Sequence, residues 1–406
     1  MKDRYELFVV GAGVVGLTMA ALIARSAHKD RLNLTLIDAG ARPDFRIDDD
    51  ISLRVSAIAP GSAAILSEIG VWETIVATRA SAYRDMRVWD SGGSVEGPET
   101  LHFDAAEFAL PQLGHIVENV LIQDAVLRQL ELLDCSVLFN TAISEIVRDG
   151  RRFELEIDGG GILAADILIG ADGASSFVRD QAGIGVQSWR YPQTAFVTHL
   201  RPQYGHRDTA WQRFLKEGPV ALLPLSDGRV STVWSTTPLQ ARAALDASGD
   251  ELGRMLSTAT EGVLGKLTPQ GPRGAFPLQA QHADRYVSSG LALIGDAAHS
   301  VHPLAGQGAN LGIADAACLA SLIDIALDTD EHPGDLPLLR QYERARKGAN
   351  KTMLHFVDGI NRLFSTDAAA VARLRGAGMA LFNHSGALRR VAVQVALGIN
   401  SPGRLT

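Results

Sequence analysis

The chain alternates between two hydrophobic periods. Tyr5 to Val10 is a mostly apolar run of strand length, and a small-residue helix follows from Leu17 to about Ala27. Leu32 to Ile37 is a second strand. Ser62 to Ile69 puts Ala63, Leu66 and Ile69 on one helical face, and Glu118 to Leu133 is a longer amphipathic helix. Ser136 to Phe139, Ile143 to Val147, Phe153 to Ile157 and Ile167 to Ile169 read as strands, the last leading into a helix that carries Arg179. Alternation of this kind predicts a parallel sheet with helices on its faces. From about Trp189 to Tyr286 the pattern changes. Ala195 to Leu200, Val220 to Leu223 and Val230 to Ser235 are rich in β-branched and aromatic residues, with turns at SDG and TTP, and predict a separate antiparallel sheet. Leu291 to Ile294 then returns to a buried strand, followed by a glycine-bearing loop and an apolar helix. Asp328 to Pro337 is a polar linker before a helical C-terminal region.

A chain of 406 residues exceeds one simple core, so two or three lobes are expected. Its net charge of −8 argues against a general nucleic-acid binder. Cys135 and Cys318 are too few for a disulfide framework or a thiolate metal site, which fits a reducing compartment. Leu7 to Ala24 carries no charge and is long enough to imitate a membrane span or signal peptide. Gly11, Gly13 and Gly16 interrupt it and no cleavage site stands out, so it reads as strand, turn and helix.

That turn holds the first chemistry. GAGVVG between a strand and a helix, with Asp38 ending the next strand, is a dinucleotide fingerprint in its required context. Gly11 makes the tight turn, Gly13 admits a pyrophosphate, Gly16 lets helix pack on strand, and Asp38 is placed for ribose hydroxyls. Two further strands end in acids, at GADG (Asp172, Gly173) and at LALIGD (Gly295, Asp296). Open α/β sheets bind ligands at such strand ends. Arg54 suits phosphate or ribose, although a solvated charge is the plainer reading. Asn119 and Gln123, one helical turn apart, can face a cofactor or serve as cap and surface amides. Arg179 can pair with Asp172 or reach phosphate. The loop from Pro303 through Gly306, Gln307 and Gly308 feeds a helix N-terminus, which favours anionic groups. His299 and His302 are spaced HxxH with no third ligand in the motif, so no metal site is expected.

Taken together, GAGVVG with Asp38, then GADGASSFVR, then LALIGDAAHSVHPLAGQGANLGIADAACLA resembles the flavin-dependent aromatic hydroxylases, the p-hydroxybenzoate hydroxylase family. SLRVSAIAPGSAAILSEIGVW, GPVALLPLSDGRVSTVWS, AFPLQAQHADRY, LLRQYERARKGANKTM and FNHSGALRRVAVQVALGI look like its ubiquinone-biosynthesis branch, the UbiH-type hydroxylases. The resemblance spans nearly all of residues 4 to 400. It implies a Rossmann-like α/β FAD-binding domain (1–75, 105–185 and 286–330), an inserted antiparallel-sheet substrate domain (76–104 and 186–285) and a helical region over 337–406. It implies bound FAD on Gly11, Gly13, Gly16, Asp38, Arg54, Asn119, Gln123, Asp172, Gly173, Gly295 and Asp296. Pro303, Gly306, Gln307, Gly308, Ala309 and Asn310 would lie along the flavin ring, with no dedicated acid, base or nucleophile. NAD(P)H would visit transiently as reductant, since there is no second GxGxxG, and O₂ would be the co-substrate.

The function implied is hydroxylation of a polyprenylated phenol in ubiquinone biosynthesis, by a cytoplasmic protein peripheral to the inner face of the membrane. Rival readings are a hydroxylase of a small soluble aromatic and a flavin-binding assembly subunit with little turnover. A biosynthetic complex and homo-oligomers are expected partners; nucleic acid is not. After Asp367 there is no acid, whereas Arg373, Arg375, Arg389, Arg390 and Arg404 remain. Leu388, Val391, Ala392, Val395, Ala396 and Ile399 follow helical spacing, with Arg389, Arg390 and Gln394 off that stripe. Such a basic amphipathic helix faces a membrane surface or partner, or else packs on the core with its arginines solvated.

Overall fold

The computed structural model describes residues 4–302, 306–366 and 369–398. Its first sheet has six strands in the order Val287–Ser288, Leu291–Leu293, Ile167–Gly170, Tyr5–Val10, Leu32–Ile37, Ser136–Leu138. All neighbours are parallel except the first pair. Val10 lies beside both Ile37 and Gly170, and Gly170 beside Leu293. Parallel strands in this register bring their C-terminal turns to one edge. Gly11, Asp38, Asp172 and Asp296 therefore stand side by side although the chain separates them widely. The run Leu7 to Ala24 is a buried strand, a turn and the helix Val14–Ala24. Only Gly308–Asp328, among the described residues, is long and apolar enough to cross a membrane, and 67% of its apolar window is buried in the protein.

The second large sheet has eight strands: His299–Ser300, Leu267–Ala283, Val186–Pro202, Val230–Thr236, Gly218–Pro224, Thr209–Leu215, Asp85–Asp90 and Leu101–Asp104. It is antiparallel but for the parallel pair Thr209–Leu215 with Asp85–Asp90. Side chains alternate across it, as the two-residue period requires. Phe196, Leu222 and Trp234 point to the back, where they form a core with Leu252 and Leu256 of the helix Gly249–Ala259. Val197, Ala221, Leu223 and Val233 point to the front and line a cavity. The long strand Leu267–Ala283, not among the expected strands, carries Pro269, Pro272 and Pro277. They are tolerated on a strand whose outer side meets only the short His299–Ser300 strand. TTP is the start of the helix Pro238–Asp246 rather than a turn: Thr237 Oγ1 accepts the Gln240 N–H and Pro238 takes the first turn.

The helix Gln307–Asp328 packs on Val14–Ala24, and the long helix Leu336–Phe364 packs on it in turn. Leu336–Phe364 then runs on to the large sheet, where Phe364 stacks on Phe214 at 4.0 Å. The chain ends in a helical hairpin, Ala369–His384 and Gly386–Ala396.

Candidate cofactor groove and substrate cavity

The fingerprint glycines meet three separate demands. Gly11 has φ +107°, and a Cβ there would lie 2.4 Å from the Ala171 carbonyl oxygen. A Cβ on Gly16 would lie 1.9 Å from the Gly11 oxygen, so only glycine lets the helix sit on its turn. Among the described residues nothing lies within 4 Å of the Gly13 Cβ position. The helix Val14–Ala24 begins there with no side-chain cap and no acid in its first turn. Its leading N–H groups are left to a ligand, as a pyrophosphate cradle requires.

Asp38 stands at the groove edge, accepting the Ala12 N–H at 2.5 Å and the Gly40 N–H at 2.7 Å. Gln123 donates to the Ala12 carbonyl at 2.9 Å and so braces the back of the same turn. Asn119, one turn earlier, accepts from Ser56 at 2.6 Å and also lines the cavity. Asp172 caps the short helix Phe177–Gln181 by accepting from Ser176 and from the Val178 N–H, and burial raises its carboxyl above the usual range. Gly173 turns away at φ +82° into open space. Arg179 does not pair with Asp172. It donates to the carbonyls of Ala174 (3.0 Å) and Ala297 (3.3 Å) and to Asp180, which bolts the second motif to the third.

The Asp296 carboxylate faces solvent within the groove while protein crowds it on its other sides. That burial raises its carboxyl, opposed by the nearby charges of His299 and Arg54. Asp296 and Arg54 thus belong to one site. Gly306 is left-handed at φ +61° and starts Gln307–Asp328 without a side-chain cap. Its Cβ position lies 3.0 Å from Ala57 Cβ. Among the described residues nothing lies within 4 Å of the Gly308 Cβ position, and Ala309 is half-buried beside it. Asn310 is engaged by the protein itself, donating to the carbonyls of Ala57 (2.8 Å) and Gly306 (3.3 Å) and accepting the Ala59 N–H. Pro303 and the Gln307 side chain lie outside the described residues.

Behind the groove is a polar network that the motifs did not announce. Asp315, fully buried, accepts from Arg346 Nε (2.7 Å), Asn350 (3.0 Å) and the Gly295 N–H (3.2 Å), and bonds His299 Nε2 at 2.5 Å. Burial alone would raise its carboxyl; His299 and Arg346 hold it down to about 2. The signal in the sequence was a single acid within an otherwise apolar helix start, NLGIADAACLA. His302 turns the other way, to Gln193 Oε1 at 3.1 Å and edge-on to Tyr191, and burial lowers it to about 4.

Beyond Arg54, Asn310 and Gly306 the groove opens into a cavity of about 1580 Å³. Its front wall is the large sheet, and the other walls are the long helix and the C-terminal hairpin. In the hairpin, part of the basic tail packs on the protein. Val393 and Leu397 pack with Ala105 and Leu113, and Arg389 pairs with Glu107 at 2.9 Å over the Phe103 ring. One side of the tail helix is therefore a packed wall, and Arg390 is left exposed. Leu388, Val391 and Ala396 side chains, Ile399, and the Arg373 side chain and Arg404 lie outside the described residues.

A dinucleotide cradle, two further acid-ended strands on the same edge and a deep apolar cavity opening from it fit an FAD-dependent monooxygenase, the class that the family match and the relatives show. The chain belongs to the family described as the FAD binding domain, whose model matches residues 4–357. It is 36% identical over 97% of its length to 98% of the 3-demethoxyubiquinol 3-hydroxylase of Escherichia coli K12. It is 34% identical to the human mitochondrial ubiquinone biosynthesis monooxygenase COQ6, over 93% of this chain and 89% of that one. Among solved structures, p-nitrophenol 4-monooxygenase PnpA from Pseudomonas putida superposes with TM-score 0.79 at 19% identity, covering 99% of this chain and 100% of that one. Klebsiella pneumoniae HpxO, complexed with FAD and uric acid, gives 0.74 at 18% identity, covering 99% and 98%. At those identities the two structures speak for the fold alone.

Proposed function

We propose that this protein uses FAD, NAD(P)H and O₂ to hydroxylate the ring of a polyprenylated phenol in ubiquinone biosynthesis. The observation that carries this is the cavity. At about 1580 Å³ it is larger than the usual ligand pocket of about 300–1,000 Å³, and it is apolar along most of its lining. Arg54, Asn119, Gly306 and Asn310 line one end of it, so part of that volume is the flavin's own place, and the apolar remainder runs on along the long helix and the hairpin. The names of the relatives at 36% and 34% identity point the same way.

On this reading Gly11, Gly13 and Gly16 hold the pyrophosphate and Asp38 the adenosine ribose. Gln123 and Arg179 keep the turns in place, Asp296 holds the ribityl chain, and Arg54, Asn119, Asp172 and Gly173 complete the groove. The backbone from Gly306 to Asn310 approaches the ring. Bound flavin supplies the electron store that no side chain can. The protein's own contribution is threefold. Uncapped N–H groups at the start of Gln307–Asp328 favour negative charge on the cofactor. The apolar walls exclude water. Packing orients the phenol ring toward the groove. The cofactor-binding domain then comprises 1–75, 105–185 and 286–330, and the substrate domain 76–104 and 186–285.

The substrate's tail dissolves in a bilayer, so we place the protein at the inner face of a membrane, touching it with the C-terminal helices. Leu381 there is 72% exposed and does not line the cavity. Flotation with anionic liposomes tests the placement; Leu381→Asp combined with Arg390→Glu should abolish it. The function is tested by deleting the gene and identifying the quinone precursor that accumulates. A precursor lacking one ring hydroxyl is expected. Normal ubiquinone, with the purified enzyme turning over soluble phenols, would favour the small-aromatic reading. A yellow, inactive protein that restores a partner's activity would favour an assembly role.

A further inference from the structure

The two ends of the cavity differ. At one end stand Arg54, Gly306 and Asn310 of the cofactor groove. From there the long helix lays one stripe along the wall: Ala349, Met353, Phe356, Ile360 and Leu363. Steps of four and three keep these residues on one face, and the stripe is about 21 Å long at ~1.5 Å per residue. Its direction is fixed. Near its start Arg346 donates to the Leu311 carbonyl and Asn350 to Asp315, both on the helix that begins at the cofactor loop. Near its end Arg375 donates to the Leu363 carbonyl at 2.9 Å and is bound to Asp90 at 2.8 Å. That ion pair is buried, its partners 5% and 7% exposed, and it anchors the helix Ala369–His384 over the far end of the cavity. The hairpin then returns toward the cofactor, where the Gly61 N–H meets the Leu397 carbonyl.

One residue of this wall does not fit a purely structural role. Gly378 lies inside the helix Ala369–His384, where glycine costs about 1 kcal/mol against alanine. It has no positive φ, and among the described residues nothing lies within 4 Å of its Cβ position. It lines the cavity, as do Met379 and Phe382 around it. Among the described residues no turn and no close approach calls for glycine there.

We propose that the C-terminal hairpin is the specificity wall for an extended apolar substituent on the substrate ring, with Gly378 keeping open the passage that the substituent occupies. This rests on the reading that the substrate is a prenylated phenol. The ring sits at the Arg54–Asn310 end, and its polyprenyl tail lies along the Ala349–Leu363 stripe beneath the hairpin. A short tail ends before Gly378; a long one passes it.

The test is a size series at one position, Gly378→Ala, Gly378→Leu and Gly378→Phe, in the full-length holoenzyme. The probes are a phenol carrying a single isoprene unit and one carrying a long polyprenyl tail, both in detergent micelles. Binding is read by quenching of flavin fluorescence and turnover by product analysis. For the long-tailed phenol, affinity and kcat/KM should fall progressively, by at least about tenfold in Gly378→Phe, since one surplus methylene in an apolar pocket is worth about 10–200-fold. The short-tailed phenol should stay within about twofold. Replacing glycine within a helix aids folding, and Gly378→Ala serves as the conservative control. Equal losses for both phenols at normal flavin content, or none for either, would overturn the proposal. If the wild type binds the long-tailed phenol without hydroxylating it, the proposed function fails, and the binding series still decides the role of the wall. A wild type that binds neither phenol overturns both.

Discussion

Replacing Arg346 by Met tests whether the buried network behind the groove holds the cofactor loop. Arg346 is 2% exposed, and its Nε donates to Asp315 at 2.7 Å. The substitution keeps much of the side-chain volume but removes the guanidinium partner of a fully buried carboxylate. His299, Asn350 and the Gly295 N–H remain on Asp315. Removing one partner of a buried pair typically costs about 3–5 kcal/mol, because the other charge is left without compensation. The remaining contacts place this case near ~3 kcal/mol. Asp315 also accepts the N–H of the residue before Asp296, so the cost should reach the cofactor. FAD affinity should weaken by about tenfold, equivalent to ~1.4 kcal/mol. Denaturant unfolding of apo- and holoprotein gives the first quantity and flavin titration the second. Asp315→Asn with Arg346→Met should cost less than the sum of the single changes by more than the ~0.5 kcal/mol within which independent sites add. Additive single changes, or an unchanged FAD affinity beside a large stability loss, would refute the link from the network to the loop.

Three further outcomes follow from single sites. Asp296→Ala should leave the apoprotein's stability within about 0.5 kcal/mol, since the side chain faces the groove, and should lose the ~1.5–3 kcal/mol typical of a hydrogen bond to a charged group in flavin binding. A normal absorbance ratio of flavin to protein after gel filtration would remove Asp296 from the site. Gly306→Ala should destabilise even the apoprotein by about 1–2 kcal/mol, because φ is +61° and the new methyl meets Ala57 at 3.0 Å; a melting curve measures it. Acid should weaken the fold in the range set by two buried histidines. His282 and His302 are lowered to about 4 by burial, so the unfolded chain binds protons that the folded one refuses. Stability then falls as pH drops from about 6.5 toward 4, by up to ~3 kcal/mol for each at ~1.36 kcal/mol per unit, and His302→Gln should flatten the slope of chemical denaturation against pH.

The cofactor side of the molecule was legible because its chemistry is local. GAGVVG, GADG and LALIGD each carry their own strand, turn and helix start, and parallel pairing needs only to align their ends. The cavity side is assembled from distant segments. Asp90 meets Arg375, Phe214 meets Phe364 and Gly61 meets Leu397, and no spacing rule connects such pairs. The strand Leu267–Ala283, not among the expected ones, carries three prolines, which an edge strand tolerates. In the tail, periodicity identified the apolar stripe but could not choose its partner. Val393 and Leu397 bury against Ala105 and Leu113, while Leu381 and Val395 remain exposed.

The Arg346–Asp315 network and the cavity are two uses of one helix. Leu336–Phe364 begins with residues that fix the cofactor loop from behind and continues with residues that form the wall against which a substrate lies. Its first half is polar where it meets Gln307–Asp328, at Arg346 and Asn350. Its second half is apolar where it meets the large sheet, at Met353, Val357, Ile360 and Phe364. A rigid helix that does both sets the distance from the flavin edge to the substrate wall by its own pitch, so a shift at either end is felt at the other. The same coupling gives a sharper form of the opening test. If the helix acts as one strut, Arg346→Met should lower the affinity for a long-tailed phenol as well as for FAD, although Arg346 does not line the cavity. If only the loop is affected, phenol binding measured at saturating FAD should be unchanged.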